Sequence, residues 1–327
     1  MPLRLPFLLF LIVYRFGEKN IPFVFSLFFL RFLLTNRTEM WIILLVLFSH
    51  IEPNSYLRFY PMCRRFRLLQ RRTHMIIGAQ LFTLRDYCKT LEDFSETLKK
   101  VADIGYTTVQ VSGTCAYEAQ WLRDQLKAAG LTCGITHYNY NRIINETEAV
   151  IEEHKTFGCR YIGVGSMPGG AAGYDKFRTE AQIPAQKIHD AGLQFMYHNH
   201  AFEYENKRED GRPVMHHISD DFTAEQLGFT LDTYWVKAGG YDVIEEIKRL
   251  SGRLPVVHFK DMFINEAGEK KMSWVGGGNQ LDFAKIIPAF EAAGTQFAYI
   301  EQDNCNGENP FDCLKKSYDY LTSLGLK

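Results

Sequence analysis

The chain has 327 residues, 46% of them hydrophobic, with 37 basic against 38 acidic side chains, enough for one large domain or two small ones. The charge is unevenly placed: residues 1–74 hold eleven Lys or Arg against Glu18, Glu39 and Glu52, which leaves 26 basic and 35 acidic residues for the rest. An acidic body excludes tight, sequence-independent nucleic-acid binding, and seven cysteines without a CxxC pair point to reduced thiols in a cytoplasmic protein.

In chain order, residues 1–74 come first and stand apart as a hydrophobic and basic extension. The apolar runs Leu5–Tyr14, Ile21–Leu30 and Met40–Phe48 are broken by Arg15, Lys19, Arg31 and Arg37, and each falls short of the roughly 20 residues that span a bilayer. Joining Ile21 to Leu34 would bury Arg31, at a cost of about 2.5 kcal/mol or more. Arg4 and the first run have the outline of a signal peptide, but no small-residue cleavage site follows. A basic tract, Cys63–Arg72, then precedes Met75, which stands directly before the first clean strand. One reading is a membrane anchor with a basic flank. The favoured one is a non-native extension, with Met75 as the true initiator and 75–327 as the catalytic domain.

From Met75 a unit recurs: an amphipathic helix, a glycine, then a short apolar strand. Predicted strands are Ile76–Leu81, Thr107–Val111, Leu131–Thr136, Arg160–Val164, Leu193–Tyr197, Phe229–Leu231, Leu254–Val257 and Gln296–Ile300. Before the last seven stand Gly105, Gly130, Gly158, Gly192, Gly228, Gly252 and Gly294, each suited to a left-handed helix cap. Continuously apolar strands of this length suit parallel strands buried on both faces. Eight such units in a body close to the ~250 residues of a (β/α)8 barrel predict an α/β TIM barrel. An open doubly wound sheet is the rival, and it would need a Gly-rich phosphate turn that Gly78-Ala-Gln-Leu-Phe-Thr83 does not supply.

In a barrel, catalytic groups sit after the strands, at their C-terminal ends. Gln110, His137, Ser166, His198, His200, Asp232, His258, Lys260, Glu301 and Asp303 all lie at such ends. Four consecutive ends offer His198, Asp232, His258 and Glu301, and a carboxylate that ends a buried strand needs pairing or coordination. The set predicts one divalent ion held by O/N ligands, with Mn²⁺, Mg²⁺, Co²⁺ and Zn²⁺ all compatible. Taken alone, Asp232 could simply cap the next helix and His258 could be a packed imidazole. Lys260 is a candidate cation for polarising a carbonyl, or else an ion-pair partner of Asp261, Asp232 or Glu301. Phe82, Tyr138, Trp235 and Trp274 are candidate walls for a sugar, or ordinary packing. Gly276-Gly-Gly278 is a weak phosphate-nest signal, and the long connections Glu203–Asp220 and Asp261–Gln280 are candidate lids.

The motifs Tyr197-His-Asn-His200 with Phe202-Glu203, Leu231-Asp-Thr-Tyr-Trp235, His258-Phe-Lys-Asp261, Val275-Gly-Gly-Gly278 and Glu301-Gln-Asp303 resemble the xylose isomerase-like barrels. These include sugar phosphate isomerases/epimerases, ketose 3-epimerases, inosose dehydratases and, more distantly, endonuclease IV. The resemblance covers Met75 to about Leu324. It implies Asp232, His258 and Glu301 as three metal ligands, with His198 standing where the family has a glutamate. In the epimerases two ligand glutamates are the acid and base, and here only Glu301 remains.

The chemistry the resemblance implies is proton abstraction beside a carbonyl, with a Lewis-acid metal stabilising an enediolate. Glu301 is the first choice of base, with His200, Glu203 or His198 assisting and Lys260 as the cation. The expected activity is a sugar (phosphate) isomerase or epimerase on a small sugar or polyol, with a keto-sugar or inosose-type dehydratase or lyase as alternative. A non-catalytic sugar-binding barrel is the rival from another class. An endonuclease would need more metal ligands and a basic groove. No nucleic-acid partner is expected, membrane association is the lesser reading, and a homo-oligomer is compatible.

Overall fold

A computed structural model of the chain describes residues 75–327 and, ahead of them, the backbone of two antiparallel strands, Ile12–Phe16 and Lys19–Phe23. The chain divides into two compact units, Met1–Arg72 and Thr73–Lys327. The readings of residues 1–74 as anchor or as non-native extension lie outside the described residues. Among the described residues, no helix is long and apolar enough to cross a membrane.

The second unit contains a closed barrel of eight parallel strands, a TIM barrel. The strands are β1 (Ile76–Gln80), β2 (Thr108–Val111), β3 (Thr132–His137) and β4 (Tyr161–Val164), followed by β5 (Gln194–His198), β6 (Leu227–Asp232), β7 (Val256–Phe259) and β8 (Phe297–Ile300). They pair in chain order, and β8 closes on β1 with Ala298 opposite Ile77. Each predicted strand is present, with ends displaced by at most two residues, because burial on both faces makes the strands short apolar runs.

Six of the seven repeat glycines have positive φ. Gly228 differs from expectation. It lies inside β6, where a Cβ would meet Met196 Sδ at 2.6 Å. Here glycine makes room for a neighbour's side chain and caps no helix.

Inside the barrel, Ile135, Tyr161, Met196, Val256 and Tyr299 form a buried cluster of their own. Tyr299 donates to or accepts from Thr108 Oγ1 at 2.8 Å, and a Cβ at Gly134 would overlap its hydroxyl. Alternate strand residues share a face. Two positions beyond these floor residues come His137, Gly163, His198, His258 and Glu301, so the apolar floor carries a polar layer directly above it. The connection after β7 departs from a plain loop: Asp261–Ile264 pairs antiparallel with Lys270–Ser273.

Candidate metal centre

His198, Asp232, His258 and Glu301 are all buried, and one ligand atom from each lies within 4.8 Å of every other. The four come from β5, β6, β7 and the residue after β8. Asp232 divides its carboxylate. Oδ1 accepts from Trp235 N at 3.0 Å, capping the helix Thr233–Ala238, while Oδ2 turns into the cluster. One side chain thus caps the helix and turns its other oxygen into the cluster, so the capping and ligand readings do not exclude each other. Asn199 Oδ1 accepts from Asp232 N at 3.0 Å and ties the ends of β5 and β6 together.

The hydrogen bonds around the two imidazoles assign their tautomers. His258 Nε2 donates to Gln110 Oε1 at 2.6 Å, which leaves a lone pair on Nδ1, 3.0 Å from Glu301 Oε2 and 3.7 Å from Asp232 Oδ2. His198 Nδ1 donates to Gly165 O at 2.9 Å, which leaves a lone pair on Nε2, 3.3 Å from Asp232 Oδ2. Lone pairs facing carboxylate oxygens at such distances call for a cation between them. His258 Nδ1 and Glu301 Oε2 are buried without a hydrogen-bond partner, so the donor set fits a divalent metal by its own chemistry. Gln110 supplies the outer hydrogen bond that metal-binding histidines use.

Lys260 is 1% exposed. Its Nζ lies 2.9 Å from Glu301 Oε2 and 3.3 Å from Asp232 Oδ2, and it donates to both Asp303 oxygens at 3.0 Å. Burial alone would discharge the ammonium, but Asp232, Glu301 and Asp303 outweigh it and raise its pKa. Burial likewise works against the Glu301 carboxylate, yet Lys260 and His258 hold it well below the usual range. Asp232 is lowered in the same way by Lys260 and His198. Both carboxylates are thus anionic, and Lys260 is a fixed cation.

His200 follows β5 with its ring 4.8 Å from that of His198 and 5.3 Å from that of Trp235. Its Nδ1 is buried and unpartnered. Burial, then His198 and Lys260, lower its pKa to about 3, so the imidazole is neutral. Glu203 is not brought to the cluster. It is fully buried, with Oε1 accepting from Tyr197 Oη at 2.6 Å and Oε2 from His200 N at 2.7 Å. Burial raises its pKa to about 8 against these hydrogen bonds.

Other strand-end residues divide similarly. His137 flanks the ligands, with ring centroids 5.0 Å from His198 and 5.4 Å from His258, whereas Ser166 bonds only Met167 O at 3.4 Å. Trp235 lies beneath Lys260, 5.2 Å from Nζ to the ring, while the Tyr138 hydroxyl is engaged by Glu153 and Arg142. The glycine triplet is not a free anion nest, because Gly276 N and Gly278 N donate to Asp261 Oδ2 at 2.9 and 3.0 Å. Asp303 and Gln110 carry more of the site than their isolated sequence contexts suggested.

The family model for xylose isomerase-like TIM barrels matches residues 98–324. The chain belongs to that family. An inosose dehydratase of Geobacillus kaustophilus is 24% identical over 275 residues, covering 70% of this chain and 86% of that protein. Among solved structures, a sugar phosphate isomerase/epimerase from Parabacteroides distasonis superposes with a TM-score of 0.63 at 20% identity, over 76% of this chain and 98% of the other. The IolI protein with a bound zinc atom superposes with a TM-score of 0.56 at 13% identity, over 76% and 98% of the two chains.

Proposed function

We propose that the chain is a metal-dependent enzyme that removes a proton next to the carbonyl of a small keto-sugar or keto-cyclitol and expels the neighbouring hydroxyl, a dehydratase. The observation that carries this reading is the convergence of His198, Asp232, His258 and Glu301 within 4.8 Å beside the buried Lys260. A divalent ion held by these four supplies a Lewis acid for the negative charge that develops on the carbonyl oxygen.

The remaining chemistry belongs to the chain. His200 Nδ1, neutral and unpartnered, is the proton acceptor, its weak basicity rising as negative charge develops on the substrate beside it. Glu301, the base expected from the sequence, has its Oε2 held 2.9 Å from Lys260 Nζ and 3.0 Å from His258 Nδ1 within the cluster, so it serves as ligand. The proton held by His200 is then available to the departing hydroxyl, which leaves as water. Lys260 steadies the oxyanion electrostatically, and Asp303 keeps its ammonium in place. Glu203 and Tyr197 position His200 through its backbone N–H.

The second reading is isomerase or epimerase, which shares the first step and is supported by the name of the Parabacteroides distasonis neighbour. Two-base epimerisation needs a proton-transfer group on each face of the substrate. The residue at the family's second glutamate position is His198, whose two nitrogens are directed to Gly165 O and to the cluster, which favours dehydration. Inosose and a set of ketoses incubated in D₂O with Mn²⁺ and the protein separate the readings. Dehydration gives a product lighter by one water, whereas epimerisation gives deuterium at the adjacent carbon with no loss of water. Mn²⁺ binding without either change would leave only the sugar-binding barrel.

A further inference from the structure

One polar side chain of the barrel mouth has no task in the mechanism above. His137 ends β3, two residues beyond Ile135 of the barrel floor. Its ring flanks both imidazole ligands. Nδ1 lies 3.5 Å from Ser112 Oγ, while Nε2 is buried with no hydrogen-bond partner.

His154 provides an internal comparison. It is fully buried, and both of its nitrogens are bonded, Nε2 to Thr136 Oγ1 at 2.8 Å and Nδ1 to Val150 O at 2.7 Å. A histidine kept for packing is satisfied in this way, because an unmatched buried polar atom is costly. A Cβ at Gly165 would fall 3.1 Å from His137 Nδ1, while one at Gly163 would first meet Thr136 O at 2.3 Å and then His137 Cδ2 at 3.2 Å. Gly165 thus leaves room for an imidazole whose outer nitrogen has no hydrogen-bond partner among the described residues.

His200 Nδ1 and Trp235 Nε1 are buried and unpartnered too. The charged groups nearby are engaged with one another: Lys260 bonds Asp303 and lies against Glu301 and Asp232, and the amides of Gly276 and Gly278 bond Asp261. We infer that His137 is a substrate-binding residue whose Nε2 hydrogen-bonds a ring hydroxyl, and that with His200 and Trp235 it forms an uncharged collar selecting a neutral hydroxylated ring over a sugar phosphate. With the Ser112 hydroxyl donating a hydrogen bond to Nδ1, the imidazole hydrogen sits on Nε2, a donor that carries no charge. This inference rests on the reading of the metal centre as a carbonyl-activating site.

The test uses wild type, His137→Phe and His137→Gln, each first titrated with Mn²⁺ alone. Each is then titrated calorimetrically with inosose, D-fructose and D-fructose 6-phosphate. The Phe variant should keep wild-type Mn²⁺ stoichiometry and lose ~10-fold in affinity for the neutral compound that wild type binds best, the scale of one hydrogen bond. The Gln variant, which retains a donor, should recover most of that loss, and fructose 6-phosphate should bind wild type no better than fructose. Unchanged affinity in the Phe variant overturns the proposal. So does loss of its Mn²⁺, which would make His137 a support for the ligands, or clear preference of wild type for the phosphate. If wild type takes up Mn²⁺ but none of the neutral compounds, the keto-sugar reading itself fails and this inference falls with it.

Discussion

Asp232 does two jobs with its two oxygens, and substitutions can separate them. Asp232→Asn keeps an Oδ1 acceptor for Trp235 N–H but presents an amide in place of an anion to the cluster. Asp232→Ala loses both. Metal content should collapse in both variants, whereas thermal denaturation should show the Ala protein less stable than the Asn protein by ~1 kcal/mol, the value of a helix cap. Glu203 gives a pH signature. Its folded pKa of about 8 lies above the ordinary glutamate value of 4.5, so the folded state holds this proton where the unfolded chain has lost it. Stability from this group is therefore full below pH 4.5 and declines as pH rises towards 8. Glu203→Gln should flatten the fall in melting temperature over that window, and an identical slope in the two proteins would contradict the assignment. Metal affinity should move the opposite way. Burial opposes a charged His258, but Glu301 and Asp232 outweigh it and raise its pKa above 6.5, so protons compete with the ion as pH falls through that region. Competition titrations with a chelator at several pH values would measure this.

At the scale of elements, the segment after β7 is held by one buried carboxylate. Asp261 accepts from Met262 N at 2.7 Å as well as from the amides of Gly276 and Gly278. Asp261→Ala would strand three amides and should destabilise the barrel by about 3 kcal/mol, with hydrogen-exchange protection lost first at Gly276–Gly278. Very little of this segment was legible in the sequence. Lys270-Lys-Met-Ser273 shows no alternation of apolar residues, and its pairing depends on partners far away, such as Asn279 Oδ1 accepting from Ile264 N at 3.0 Å. The barrel strands were legible because each is buried on both sides, and the cluster of His198, Asp232, His258 and Glu301 because polar residues ended those strands. Glu203 misled for a geometric reason. The short helix Phe202–Glu205 turns its carboxylate back under Tyr197, away from the cluster that its position in the motif suggested. Gln110 was legible only as one polar residue among many at the strand ends, since its role as partner of His258 Nε2 shows only once the two are seen across the barrel.

For the whole molecule, the acidic body and the compact unit Thr73–Lys327 lead us to propose that the barrel stands alone. A shortened chain beginning at Met75 should stay soluble, with the melting temperature and metal stoichiometry of the full chain. Aggregation of the shortened chain, with folding of the full one in detergent, would favour the anchor. The order of the ligands along the barrel also matters while the chain is being made. His198, Asp232, His258 and Glu301 come from its last four strands, and β8, which precedes Glu301, is also the strand that seals against β1. On the proposal that these four hold the ion, the half-made protein on the ribosome has no complete site to fill. The fourth ligand then arrives only as the ring closes, and uptake of the ion would mark a finished barrel.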